Sequence, residues 1–395
     1  MTTLDGAHAW SPVATSSKHG LGEAELEIAA AIIRATLPAV APLPGGDERT
    51  VARLRKFFDE LPQPAVRGYA ALLWSVEAAS VASHGRRFRS LDRVRAEAFL
   101  DRWAMGDNKL ARTLMRAVLT PIKYAHFDAR ELFEKAGCGY GVTPPTVDEQ
   151  PRWLAQVSRG VDLAEASERG GSEPIELEAE VVVIGTGAGG AAMAYELARR
   201  GRAVLMLEEG EYHRRSAFTG NASAMSRKLY RDHGMTIAYG NVGIPVWAGR
   251  AVGGTTLINS GTCYRAPERV FARWRERYGL AGFSSDSMDS YYTEVEAMLQ
   301  VTPAAREHLG GAARVVERGA RKLGLLHHGP LRRNAPDCDG QGVCCFGCPT
   351  GAKRSTDVSY VPRALERGAQ LITGARVDRV EIVAGRARGV RGFFK

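Results

Sequence analysis

A run of branched apolar residues followed by closely spaced glycines constrains the fold of this chain more than any other feature. Val181–Ile184 has the composition of a buried parallel strand, and glycines follow at positions 185, 187 and 190. A helical pattern then continues to about residue 200, and a second apolar run ends at Glu208. This order and length match one strand–helix–strand crossover of a nucleotide-binding fold. The sequence therefore predicts an α/β, Rossmann-like domain.

The glycines and the acid have separate expected roles in holding an adenine dinucleotide. Gly185 permits a tight turn, Gly187 lets the backbone approach a diphosphate, and Gly190 lets the helix pack closely on the sheet. The diphosphate is expected at the helix N-terminus, where unpaired N–H groups and the helix dipole favour an anion. Glu208 is expected to accept a hydrogen bond from a ribose hydroxyl. FAD and NAD share this fingerprint, so a second feature must distinguish them.

A second glycine-rich segment also has residue types that a ligand would require. Gly253 and Gly254 let backbone amides approach a phosphate or a ring. Thr255 and Thr256 add hydroxyl donors, and Asn259 offers a donor and an acceptor to a flat polar ring edge. We therefore predict a loop-to-helix element that contacts the middle of an extended cofactor.

Residues 249–259 resemble the first signature of the glucose–methanol–choline (GMC) oxidoreductases, including its arginine, glycines, threonines and asparagine. The match departs at Cys263, where an aromatic residue or alanine is usual. The resemblance implies FAD as the cofactor, with the first glycine loop and its acid on the ADP half. It also implies that residues 253–259 lie along the diphosphate and flavin, and that Val377 meets the adenine through its backbone.

Three further segments narrow the resemblance to long-chain fatty alcohol oxidases and their bacterial relatives. They are residues 228–235, 264–267 and 347–356. The resemblance covers about 178–395, and residues 22–140 more loosely. It implies that a long-chain or other apolar alcohol, as the small-molecule partner, is oxidised to an aldehyde or ketone while hydride passes to flavin N5.

Shifts in sequence pattern predict the domain organisation. We expect disorder over residues 1–20, an all-helical region over 21–166, a polar linker over 167–177, and an FAD-binding GMC-type domain over 178–395 that is incomplete at its C-terminus. The predicted helices of the N-terminal region are 22–37, 47–61, 65–83, 91–103 and 108–124, with no strand before the linker. The later predictions are helices over 267–278, 285–301 and 303–325, and strands over 371–373, 377–383 and 389–394.

No catalytic residue is assigned, because no histidine has the context that the resemblance requires. The resemblance implies a histidine paired with a second histidine or an asparagine near the C-terminus of a complete enzyme. The nine histidines lie instead at positions 8, 19, 84, 126, 213, 233, 308, 327 and 328. We expect a fragment of a longer enzyme, because the strand-rich C-terminus ends before the fold could close. The alternative is a complete FAD-binding protein or partner-dependent subunit without catalysis of its own.

Four cysteines lie close together in a loop rich in glycine and aspartate: Cys338, Cys344, Cys345 and Cys348. Thiolates at such spacing suit an iron–sulfur cluster, and some GMC-type dehydrogenase subunits are similar in carrying one that passes electrons to a haem partner. A purely structural loop, zinc and a disulfide are the alternatives. The presence of a cluster decides the electron acceptor. If the loop holds a cluster, we expect a respiratory partner to accept the electrons. If it does not, we expect oxygen or a soluble acceptor.

The net charge of +9 does not indicate a nucleic-acid partner. Arginines interleave with glutamate, as in residues 269–277, which is typical of solvated helix faces. The positive charge instead predicts a weaker effect, which is attraction to an anionic membrane surface. The N-terminus has no secretory pattern, and the apolar residues 28–43 are too short and interrupted to cross a bilayer. The expectation is a cytoplasmic protein with peripheral membrane contact.

Overall fold

The computed structural model describes residues 20–135, 142–143, 151–166, 174–238, 240–241 and 244–394. The chain divides into two compact units, Met1–Gly139 and Tyr140–Lys395. The predicted disorder of residues 1–20 lies, apart from Gly20, outside the described residues, as does most of the predicted linker.

The helices and strands are numbered in chain order. The α-helices are α1 (Glu23–Thr36), α2 (Glu48–Asp59), α3 (Gln63–His84), α4 (Arg93–Met105), α5 (Lys109–Phe127), α6 (Arg130–Lys135), α7 (Gly160–Ala166), α8 (Ala188–Ala198), α9 (Ala222–Leu229), α10 (Glu268–Tyr278), α11 (Ser285–Met298), α12 (Gly311–Lys322) and α13 (Tyr360–Leu365). The strands are β1 (Val157–Arg159), β2 (Val181–Ile184), β3 (Val204–Leu207), β4 (Ile237–Ala238), β5 (Ile244–Pro245), β6 (Thr302–Pro303), β7 (Arg332–Arg333), β8 (Gln370–Thr373), β9 (Ala375–Val383) and β10 (Arg386–Phe394). Within the described ranges, no helix combines the length and the apolar character needed to cross a membrane.

The first unit consists of helices that share one apolar core. Helices α1 to α5 contribute to it, because apolar residues recur along one face of each. Ile32, Leu73, Met115 and Ile122 are fully buried there. Polar side chains cap the starts of α2, α4 and α5; the Asp47 side chain, for example, accepts a hydrogen bond from the Thr50 amide. The five helices predicted for this region are confirmed, with ends that differ by a few residues.

The second unit is organised around a parallel sheet with the strand order β1-β8-β3-β2. Helix α8 connects β2 to β3, which pair from Val181 opposite Val204 to Ile184 opposite Leu207. Helix α8 packs on α13, and its buried contact residues are small: Ala191, Ala194 and Ala198. The helix can therefore lie close to the sheet and to α13, and the predicted Rossmann-like fold is confirmed.

Two secondary-structure predictions are wrong. Residues 157–159 form strand β1, which pairs in parallel with β8 of the second unit, where a helical region without strands was expected. The strand is too short to show a period, and its partner lies far along the chain. The helix predicted over 303–325 begins only at Gly311, because Pro303 pairs with Arg332 in a small sheet and Gly310 is extended.

The last two strands form an antiparallel hairpin, as the sequence predicts. Arg386 pairs with Val383, so the loop contains only Ala384 and Gly385. Both loop residues have positive φ, 53° and 76°. That combination is typical of the tight turn whose twist matches the twist of paired strands.

Replacing a fully buried leucine of the first unit should lower its stability sharply. Leu73→Ala should reduce the free energy of unfolding by about 2–5 kcal/mol, because it removes buried methyl groups and leaves a cavity. Leu110→Ala is the matched control, since Leu110 is 67% exposed on α5. Urea unfolding followed by the helical circular dichroism signal measures both, and equal losses in the two variants would contradict the core assignment.

Candidate cofactor site

The first glycine loop leaves β2 and turns directly into α8. Gly185 has φ of +85°, which favours glycine, and permits the turn. Gly190 lies against it, since a Cβ at this position would be 2.0 Å from the Gly185 carbonyl oxygen. Gly187 precedes α8, and a Cβ there would meet no atom within 4 Å. The space beside the helix N-terminus is therefore open, as a bound diphosphate would require.

Glu208 lies at the end of β3 and is buried, with 6% of its surface exposed. One carboxylate oxygen, Oε2, accepts hydrogen bonds from the Thr186 amide at 2.9 Å and from the Thr186 hydroxyl at 2.7 Å. Oε1 accepts from the Gly210 amide at 2.9 Å. Burial raises the pKa of Glu208, and these hydrogen bonds oppose the rise. Glu208 thus holds the glycine loop, and Oε1 keeps acceptor capacity for the predicted ribose hydroxyl.

The second glycine segment lies directly against the first. Gly253 and Gly254 both have positive φ, 104° and 51°, and lead into a short 3₁₀ turn, Gly254–Leu257. The Gly253 amide donates to the Thr186 hydroxyl at 3.0 Å. A Cβ at Gly254 would be 2.9 Å from the Gly187 Cα. The fold therefore brings the two predicted cofactor segments together, although they are far apart in the sequence.

A third segment, which the sequence did not reveal as part of the site, completes this contact. The Thr356 hydroxyl donates to the Thr186 carbonyl oxygen at 2.8 Å and lies 3.0 Å from the Thr256 hydroxyl. The Thr356 amide donates to the Thr256 hydroxyl at 3.0 Å. The neighbouring Asp357 is buried and forms an ion pair with Arg215. Thr356 follows the cysteine-rich loop. The only indication in the sequence of its role was its place in segment 347–356, which resembles the long-chain fatty alcohol oxidases.

The remaining predicted cofactor residues lie near the loop contact. The Thr255 hydroxyl accepts from the Gly249 amide at 3.1 Å, and Asn259 Oδ1 accepts from the Gly261 amide at 3.0 Å. Thr255 and Asn259 are exposed. Val377 is half-buried on β9, and the first residue of that strand, Ala375, donates its amide to the Glu208 carbonyl at 2.8 Å. Contacts of Asn259 with flavin and of Val377 with adenine stay predictions.

The arrangement of the cysteine loop gives no support for a metal site. In the described part of the chain, no group of three or more His, Cys, Asp or Glu side chains is arranged to hold a metal ion. Cys338, Cys344, Cys345 and Cys348 are all free thiols. Cys344 Sγ accepts from Arg333 at 3.0 Å, whereas the adjacent Cys345 is exposed. The predicted iron–sulfur cluster, and the zinc and disulfide alternatives, are not supported, because adjacent thiols on a short 3₁₀ turn have different surroundings.

Residues 169–393 match the family model described as GMC oxidoreductase. The chain belongs to the GMC oxidoreductase family. Membership confirms the predicted family and supports FAD as its cofactor, and the open space before α8 fits the diphosphate of that cofactor. The helix N-terminus, Glu208 and the second glycine segment are the residues that would hold it.

This GMC chain is also similar to individual proteins. An uncharacterised GMC-type oxidoreductase of Mycobacterium tuberculosis is 33% identical over 353 residues, 89% of this chain and 53% of that protein. A long-chain-alcohol oxidase of Arabidopsis thaliana is 32% identical over 213 residues, 54% of this chain and 28% of that protein. The chain thus spans about half the length, or less, of these relatives. The solved pyridoxine 4-oxidase from Mesorbium loti aligns with a TM-score of 0.40 at 16% identity, over 55% of this chain and 48% of that one, which is too distant to support an inference.

Substitution by alanine should affect the stability of the second unit differently at two neighbouring glycines of α8. Gly190→Ala should lower the free energy of unfolding of the second unit by about 1–3 kcal/mol, because the new Cβ collides with the Gly185 carbonyl. Gly189→Ala should leave it unchanged or slightly raised, since a Cβ there meets open space and alanine favours a helix. Urea unfolding compares them, and equal stability of the two variants would refute the close contact.

His213 should make the second unit sensitive to acid. Burial and the nearby charge of Lys228 lower the pKa of His213 from 6.5 to about 4. The unfolded chain therefore takes up a proton that the folded chain does not, so stability should fall as the pH drops from about 6.5 to about 4. His213→Gln should lose less stability than wild type between these pH values. His327→Gln, at an exposed site, is the control, and an unchanged pH dependence in His213→Gln would contradict the prediction.

Proposed function

We propose that this chain binds FAD at the junction of its two glycine segments and acts as an FAD-dependent oxidoreductase on alcohols. The observation that carries the proposal is the contact of Gly254 with Gly187 beside the open N-terminus of α8. The match of residues 169–393 to the GMC family supports FAD as the ligand. The likeness to a long-chain-alcohol oxidase supports an alcohol as the substrate.

The residues of the site would divide the work of holding the cofactor. The first amides of α8 would donate to the diphosphate, and Glu208 Oε1 would accept from a ribose hydroxyl. Thr255, Thr256 and Asn259 would contact the flavin side, where their dipoles stabilise negative charge. When bound, FAD supplies the acceptor for the hydride that leaves the carbon bearing the hydroxyl.

The substrate is proposed to be a long-chain or other apolar alcohol, which becomes an aldehyde or a ketone. Two relatives support an apolar substrate by their names: the Arabidopsis long-chain-alcohol oxidase, and a cholesterol oxidase of Acinetobacter baumannii that is 25% identical over 245 residues. Such substrates dissolve in membranes, and a net charge of +9 would attract the chain to an anionic membrane surface. Because the described residues do not support an iron–sulfur cluster, the electron acceptor is proposed to be oxygen or a soluble acceptor.

A second candidate is an FAD-binding subunit that needs a partner polypeptide for catalysis. The chain spans only 53% of its relative from Mycobacterium tuberculosis, and none of its histidines is assigned as a catalytic base. Under this alternative the chain binds FAD with the same residues, but alcohol does not reduce the bound flavin.

Filling the open space before α8 should block the cofactor without disturbing the fold. Gly187→Ala adds a Cβ that meets no protein atom within 4 Å and needs no positive φ. It should therefore weaken FAD binding by at least about tenfold, which corresponds to the loss of one or two close contacts. Titration of the purified 395-residue chain with FAD, followed by flavin fluorescence, measures the affinity.

The matched control is Gly282→Ala, since a Cβ at Gly282 also meets open space but lies in the turn before α11. It should bind FAD as wild type does. Addition of a long-chain alcohol to the loaded chain without oxygen then separates the two candidates, because bleaching of the visible flavin bands indicates catalysis by this chain alone. A folded wild-type chain that binds no FAD, or Gly187→Ala with unchanged affinity, would contradict the proposed site.

A further inference from the structure

Lys353 is a fully buried lysine whose ammonium group donates hydrogen bonds to three backbone carbonyls. None of its surface is exposed. Its Nζ donates to the carbonyl oxygens of Leu257, Asn259 and Cys344, each at 2.8 Å. An ammonium group has three N–H donors, so each donor has one acceptor. Burying a charge is costly unless it is fully hydrogen-bonded, and this arrangement meets that requirement.

The surroundings leave a defined space for the lysine side chain. Gly261 has φ of +72°, and a Cβ there would be 3.3 Å and 3.4 Å from Cδ and Cγ of Lys353 and 2.5 Å from Asn334 Oδ1. Any larger residue at Gly261 would therefore press on the lysine stem. The Lys353 amide also donates to Cys348 Sγ at 3.4 Å, so both ends of the residue contact the cysteine loop.

The three carbonyls belong to two segments that are otherwise remote in sequence. Leu257 ends the 3₁₀ turn that Gly253 and Gly254 begin, and Asn259 lies two residues beyond it. Cys344 begins the 3₁₀ turn Cys344–Phe346 of the cysteine loop. The hydrogen bonds of Lys353 therefore fix the C-terminal end of the second glycine segment, whereas its N-terminal end contacts Gly187.

We infer that Lys353 is a positioning residue that holds residues 253–259 in the conformation that binds the flavin end of the cofactor. The inference rests on the proposed function, because it assigns those residues to FAD. It also gives the cysteine loop a role without a metal: the loop supplies the third carbonyl, and its backbone rather than its thiols carries the contact. Lys353 touches neither cofactor nor substrate in this role.

The test compares Lys353→Met with Lys322→Met, which changes an exposed lysine of α12 in the same unit. Methionine is unbranched like lysine and only one heavy atom shorter, but it has no N–H to donate, so three carbonyls lose this donor. Hydrogen exchange of the cofactor-free chain should become faster in residues 253–262 for Lys353→Met alone. Its affinity for FAD should fall by at least about tenfold, as expected for loss of charge-assisted hydrogen bonds.

Wild-type exchange in residues 253–262 of Lys353→Met would overturn the inference, and so would wild-type affinity for FAD. Faster exchange throughout the second unit, including β2 and β3, would also overturn it, because it would show a general packing role. If the wild-type chain binds no FAD, the proposed function fails, and the exchange measurement alone still decides whether Lys353 positions this segment.

If Lys353→Met does not fold, Gly261→Ala provides the same test, with Gly324→Ala as its control. Both glycines have positive φ, but a Cβ at Gly324 meets open space. Backbone strain is therefore shared, and only Gly261→Ala adds contacts, with Asn334 Oδ1 and with the Lys353 stem. Faster exchange in residues 253–262 and weaker FAD binding in Gly261→Ala alone support the inference, whereas equal behaviour of the two variants overturns it.

Discussion

The candidate site depends on the hydrogen bonds of one buried residue, Thr186. Its hydroxyl donates to Glu208 at 2.7 Å and accepts from the Gly253 amide at 3.0 Å, and its carbonyl accepts from Thr356 at 2.8 Å. No part of its surface is exposed. Thr186 therefore joins the end of β3, the second glycine segment and the segment after the cysteine loop to the first glycine loop. Loss of the Thr186 hydroxyl would leave the buried Gly253 amide without this acceptor, which costs about 1–3 kcal/mol.

The same arrangement explains why so many glycines lie in so small a volume. Three backbone segments approach one another at distances that side chains would prevent, as at Gly190 against Gly185 and Gly254 against Gly187. Backbone amides then remain available beside the α8 N-terminus, where a diphosphate is best stabilised. Lys353 completes the arrangement at the C-terminal end of the second glycine segment, through the carbonyls of Leu257 and Asn259. The protein's own polar groups thus hold the segments of the candidate site together.

Local sequence patterns predicted the parts of this site, and long-range contacts assembled them. The crossover from β2 to β3 was predictable because the apolar runs, the glycine spacing and Glu208 lie within one short stretch. Thr356 was not, because its partner Thr186 lies 170 residues away in sequence and no local pattern links the two. Cysteine spacing misled for a related reason, since spacing does not specify the surroundings of each thiol. β1 was missed because three residues show no period and pair with a distant strand.

The most direct test of a single site built from separate segments is hydrogen exchange of the whole chain with and without FAD. Cofactor binding should protect the amides of residues 185–190 and those of residues 253–257 together, at the same FAD concentration, because both face one ligand. The N-terminal helices should serve as an internal reference, with unchanged exchange. Protection of only one of the two glycine segments, or of neither, would show that they do not form a common FAD site.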